Sequence, residues 1–92
     1  MVRQGVVIRN SLGVHARAAA KFVHAAGAFA ARVTVSRGER SADGKSILGI
    51  LLLAAPRGSE ILVTADGDDE MQALEALVRL VDSGFGEGAC TD

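Results

Sequence analysis

Ninety-two residues with a net charge of −1, 49% apolar and 23% charged, describe one domain with a single small core. That balance excludes a disordered chain, and it excludes a global field for nucleic acid or an acidic membrane, so any anion site must be local. With no Trp or Tyr and three Phe, the stacking platforms of single-strand nucleic-acid binders are missing too.

Val2–Ile8, rich in β-branched residues, reads as a strand with Val2, Gln4, Val6 and Ile8 on one face. Asn10-Ser11-Leu12-Gly13 is turn-prone and leads to His15. The alanine-rich run from Ala16 to about Ala26 has high helix propensity, with Ala19, Phe22, Val23 and Ala26 spaced for a core face and Gly27 placed as C-cap. Ala31–Ser36 predicts a second strand, Arg37-Gly38-Glu39 a turn, and Arg40–Asp43 a short polar return strand at a sheet edge. Ser46 is placed to N-cap a short helix from Ile47 to about Leu53, and Pro56-Arg57-Gly58 breaks the chain after it. Glu60–Ala65 predicts the last strand. Asp69 and Gln72 stand at capping-box spacing before a helix from Glu70 to Val81 or Asp82, whose core stripe is Leu74, Leu77, Val78 and Val81. Gly84 ends that helix and a loose tail is expected after it. Strand, helix, strand, strand, helix, strand, helix is the order of an α+β two-layer sandwich, an antiparallel sheet with its helices on one face.

Three stretches bear on function. His15 stands at or beside a helix N-terminus with Arg17 in the first turn. Unpaired backbone N–H groups and the positive end of the helix dipole make that place an anion site. A histidine there is a candidate nucleophile toward a phosphorylated group, with Arg17 balancing the arriving charge; the pattern alone is more often that of a helix-capping histidine. In Ile47–Ala55 nearly every position is apolar, so either Ile47, Leu48, Leu51 and Leu52 are partly exposed as a docking patch or the helix is deeply buried. Gly44-Lys45-Ser46 is not a nucleotide-binding loop, because position 39, where that motif needs glycine, is Glu. The lone Cys90 has no partner for an internal disulfide and no ligand cluster around it, so no metal or cofactor is expected. The start lacks a signal peptide's apolar core and the longest apolar run is too short to span a bilayer, which predicts a cytoplasmic protein without membrane insertion.

Asn10–Val23 (N-S-L-G-V-H-A-R-A-A-A-K-F-V), Val33–Ser36 and Gly44–Ala55 (G-K-S-I-L-G-I-L-L-L-A-A), with G-F-G-E at 84–87, together resemble HPr, the histidine phosphocarrier family of the bacterial phosphoenolpyruvate-dependent phosphotransferase system. The resemblance spans essentially the whole chain, and G-V-H-A-R paired with G-K-S-I-L-G is specific. It implies an open-faced β-sandwich of four antiparallel strands with three helices on one face, residues 1–88 forming the domain and 89–92 a flexible tail. It implies that phospho-enzyme I donates a phosphoryl group to Nδ1 of His15, which passes it to a IIA-type protein or domain. The product is a covalent phosphohistidine intermediate on a carrier, not the work of a stand-alone catalyst. The N–H groups of the helix end and Arg17 then stabilise the phosphoryl group. Ser46 matches the regulatory serine phosphorylated by an HPr kinase/phosphorylase in organisms that have one. Its phosphate, carrying about −1.5 to −2, is tolerated at a helix N-terminus but opposes docking of an acidic partner. Lys21, Lys45, Ile47, Leu48 and Leu51 are the expected partner face of a monomer.

Departures from the family pattern are Ala18, where proline is frequent, and His24, Gly27 and Gly49, where sugar-type members carry more lysines. Ala18 points to a proteobacterial or nitrogen-type member, while the other three leave Arg17, Lys21 and Lys45 as the basic contacts and bear against sugar-system partners, with the sugar-uptake and nitrogen-regulatory branches both open. A regulatory binding module controlled through Ser46 is the rival reading; it is opposed by the presence of His15, which non-transferring relatives lack. An acyl-phosphate hydrolase needs an oxyanion-binding asparagine, for which Asn10 is the one candidate.

Overall fold

A computed structural model of the chain describes residues 1–86. The elements are β1 (Val2–Val7), α1 (Ala16–Gly27), β2 (Arg32–Arg37), β3 (Arg40–Asp43), α2 (Ile47–Leu52), β4 (Glu60–Asp66) and α3 (Glu70–Asp82). The four strands form one antiparallel sheet in the order β1-β4-β2-β3. Register aligns the apolar face: Val6 opposes Ile61, Val63 opposes Val35, and Val35 opposes Ala42. Alternation does the rest. Along β4, Ile61, Val63 and Ala65 are buried while Leu62 and Thr64 between them are half-exposed, so one face is covered and the other open. The three helices supply the cover, Phe22, Ile50, Leu53, Leu74 and Leu77 packing against the sheet's valines and isoleucines in one core. This is the α+β open-faced sandwich expected from the element order. Among the described residues no helix is long and apolar enough to cross a membrane.

Four local expectations need correction. Gly27 lies inside α1, and the cap is Ala28 with right-handed φ −74°, so the helix ends without a left-handed residue. On the same helix Ala18 is fully buried and Val23 only half-buried, which turns the core face slightly from the expected stripe. The capping box at Asp69 is not formed. The Asp69 carboxylate instead accepts the N–H groups of Ala30 and Ala31, both at 2.8 Å, tying the start of α3 to the start of β2. Glu70 turns back onto the Gly67 N–H at 3.1 Å.

The chain after α3 is the fourth. Gly84, Phe85 and Gly86 are consecutive left-handed residues, at φ +72°, +59° and +72°. They swing Phe85, 1% exposed, back into the core beside Val14 and Phe22, where an expected loose tail proves to be a plug. Burying a phenyl ring contributes about 1.5–3 kcal/mol, enough to hold a left-handed non-glycine residue in place. Glu87 to Asp92, with the expected tail at 89–92 and Cys90, lie outside the described residues.

Candidate functional site

The loop between β1 and α1 is built on backbone bonds to a distant segment. Ile8 N–H donates to Ser59 O at 2.9 Å and Gly58 N–H returns to Ile8 O at 2.8 Å, so the loop leaves the sheet beside the chain that enters β4. Asn10, 1% exposed, is the one buried polar residue among those described. Its Nδ2 donates to Gly13 O at 2.6 Å, and its main-chain carbonyl accepts Gly13 N–H at 3.0 Å. Gly13 has φ +67°, and a Cβ there would stand 2.7 Å from Ala55 O and 2.9 Å from Pro56 Cα, so only glycine fits. Val14 N–H then donates to Ala55 O at 2.9 Å.

His15 follows as the N-cap of α1, extended at φ −111° and ψ −177°, with its carbonyl accepting Ala19 N–H at 2.8 Å. Its Nδ1 accepts the N–H of Arg17 at 3.2 Å. The ring is half-buried and Arg17 is exposed. An acceptor role at Nδ1 assigns the proton of the neutral ring to Nε2 and leaves the Nδ1 lone pair directed at the helix N-terminus. No acidic residue stands in the first turn of α1 to compete with an incoming anion. The nitrogen that caps α1, Nδ1, is thus the one whose lone pair faces the anion-ready end of the helix.

Ser46 N-caps α2 as expected, its Oγ accepting Gly49 N–H at 3.1 Å. Gly49 has a reason to be small: a Cβ there would lie 3.2 Å from that of Ala42 on β3. The apolar helix divides between both alternatives weighed for it. Ile50 and Leu53 are core; Ile47, Leu48 and Leu52 are 45%, 67% and 64% exposed; Leu51 is half-buried against the core. Leu12, 70% exposed on the His15 loop, adds apolar surface that nothing in its local sequence flagged.

Lys21 and Lys45 both have their ammonium groups on main-chain carbonyls, Lys21 on Phe85 O at 2.9 Å and Lys45 on Phe29 O at 2.8 Å. Arg37 and Arg40 reach from the β2–β3 hairpin to the last carbonyls of α2, Leu53 O at 3.1 Å and Leu52 O at 3.3 Å, closing the helix end opposite Ser46. Neither the Asn10 clamp nor this pair of arginines is legible locally; the available signals are an asparagine opening a turn to glycine, and arginines flanking a hairpin. His24 is an exposed residue of the last turn of α1. No cluster of three or more metal-ligating side chains occurs among the described residues.

A small open-faced sandwich with a histidine capping an anion-ready helix end, next to a partly exposed apolar helix, has the form of a protein that carries a charged group between partners rather than one that encloses a substrate. Comparison with known proteins gives the class its name. The family described as PTS HPr component phosphorylation site matches residues 2–83. Phosphocarrier protein HPr of Cupriavidus necator is 46% identical over 88 residues, covering 96% of this chain and 99% of that protein. Phosphocarrier protein HPr of Pseudomonas aeruginosa is 46% identical over 84 residues, covering 90% and 93%. The crystal structure of HPr-C-His from Thermoanaerobacter tengcongensis superposes with a TM-score of 0.91 at 40% identity, covering 96% of this chain and 99% of that one. The chain belongs to the HPr family, and its role is that of a phosphocarrier.

Proposed function

We propose that His15 is the phosphoryl acceptor and donor, taking the group from phospho-enzyme I and passing it to a IIA-type protein or domain in the cytoplasm. The observation that carries this reading is the 3.2 Å contact between His15 Nδ1 and the Arg17 N–H. Before transfer, that N–H keeps the proton off Nδ1. As the Nδ1 lone pair bonds to phosphorus and the donor's P–N bond breaks, the same N–H is released to the phosphoryl oxygens. The Arg17 guanidinium, exposed in the first turn, adds charge-assisted donors. An open site holds the group without sealing it, so the group can leave again.

Ile47, Leu48 and Leu52 form the apolar centre of the partner face, with Leu51 contributing from beneath and Leu12 from the loop. Lys21 and Lys45 act on that face through their field while tethered to carbonyls, which suits acidic partners and a monomeric carrier. Where the host has an HPr kinase/phosphorylase, a phosphate on Ser46 replaces a capping hydroxyl by a dianion beside Ile47 and opposes the same docking.

Intact mass after incubation with phosphoenolpyruvate, magnesium and enzyme I tests the reading. An acid-labile gain of one phosphate, absent from His15→Ala, is expected. A gain that persists in His15→Ala, or none from an enzyme I that phosphorylates other HPr proteins, overturns it.

A further inference from the structure

We propose that Asn10 is a positioning residue for phosphoryl transfer, acting through the Gly13–Val14 peptide; this rests on the reading of His15 as acceptor. That single peptide unit is held at both ends. Its carbonyl oxygen accepts Asn10 Nδ2 at 2.6 Å, and its N–H donates to Ala55 O at 2.9 Å. The next peptide leads into His15, so the plane of the Gly13–Val14 unit sets the direction from which the imidazole reaches the Arg17 N–H.

Such a unit is prone to rotate when released. It begins at a glycine with φ +67°, where the energetic difference between backbone basins is small. Gly13 lies against Ala55 O and Pro56 Cα too closely for any Cβ, so no side chain at that position can supply the missing restraint. Asn10 does, from the core. It is 1% exposed, and the Cβ position of Gly84 comes within 3.6 Å of its own Cβ, so the turn after α3 backs it. A buried carboxamide in an otherwise apolar core is an expensive choice unless its bonds are made. Here one of them fixes a carbonyl two residues before the reacting side chain.

The consequence is kinetic. Without the Asn10 donor, the Gly13–Val14 peptide samples orientations that move the imidazole off the Arg17 N–H, while Ile47, Leu48 and Leu52 on α2 stay where they are. Transfer should slow without loss of docking, because misplacing a reacting group by about 1 Å costs up to a hundredfold in rate.

The test is phosphoryl transfer from phospho-enzyme I to wild type, Asn10→Leu (similar size without a donor) and Asn10→Ala, well below each variant's melting temperature. We expect the rate at saturation to fall about tenfold or more in both, with KM for enzyme I within about twofold of wild type. An unchanged rate at saturation in a folded variant, even one with a lowered Tm, overturns the proposal. Should neither variant fold, exchange of the Asn10 side-chain amide protons in wild type decides. Slowing of about a hundredfold or more is expected of an amide held on Gly13 O, and exchange at the unprotected rate contradicts it. If wild type itself accepts no phosphate, the His15 reading fails, and exchange of the Asn10 side-chain amide still reports on the clamp separately.

Discussion

The ammonium of Lys21 on α1 donates to the carbonyl oxygen of Phe85 at 2.9 Å, joining the first helix to the turn that follows the last. The bond fixes the left-handed segment at 84–86 in the orientation that drives the Phe85 ring into the core beside Val14, directly under the His15 loop. A fully buried phenyl ring has few ways to be replaced by collapse. Phe85→Ala is expected to cost about 3–5 kcal/mol in urea unfolding, a loss out of proportion to its place near the chain's end. A loss below about 1 kcal/mol would mean that Phe85 is not part of the cooperative core.

Ala54 carries the opposite lesson. It follows α2 at φ +51°, exposed, with its N–H on Leu51 O at 3.0 Å. A methyl group in the left-handed region costs about 1–2 kcal/mol, and glycine there gives back part of the relief as unfolded-state entropy. Ala54→Gly should therefore raise stability by roughly 0.5–1 kcal/mol, read as a higher urea midpoint at unchanged slope. A lowered midpoint would refute the strained backbone.

Ser46 has one bond to lose and one charge to gain. Ser46→Ala leaves Gly49 N–H without its 3.1 Å acceptor and should cost about 1 kcal/mol. Ser46→Asp keeps an acceptor at the cap and should stay within about 0.5 kcal/mol of wild type. The same carboxylate stands beside exposed Ile47 and should raise KM for enzyme I. Equal KM in wild type and Ser46→Asp would separate Ser46 from the partner face.

Acid sensitivity should trace in part to Asp69. The Ala30 N–H, and after it the Ala31 N–H, bond the charged carboxylate and hold its pKa below the usual aspartate value. With the folded value below the unfolded one, this stabilisation is complete above about pH 4 and is lost as pH falls through the folded value. Asp69→Asn should lower Tm at neutral pH by an amount that shrinks on acidification below about pH 4. A gap that stays constant into stronger acid would contradict the assignment.

Much of this molecule is legible in its sequence because its signals are local. Helical spacing places Phe22 and Leu77 in the core, alternation places Val33 and Val35, and contiguous residues define His15 with Arg17 and Ser46 with Gly49. Illegible are the features made by residues far apart. Phe85 follows a glycine that reads as a stop, and one apolar residue has no periodicity. Asp69 has a cap position open on its own helix and spends its carboxylate on the Ala30 and Ala31 N–H groups just before β2 instead. Asn10 reads as a turn former, and only the approach of Ala55 on the other side of Gly13 makes it half of a clamp. Leu51 and Leu52 are adjacent and both apolar, and which of them faces out depends on how α2 lies on β3.

The central claim is the nitrogen. Long-range proton–nitrogen NMR of the His15 imidazole, with phosphorus coupling after phosphorylation by enzyme I, reads it directly. The 3.2 Å contact from Arg17 N–H predicts a neutral ring protonated on Nε2 before phosphorylation and a phosphorylated ring with phosphorus on Nδ1. Phosphorus on Nε2, or on any residue other than His15, would contradict the account.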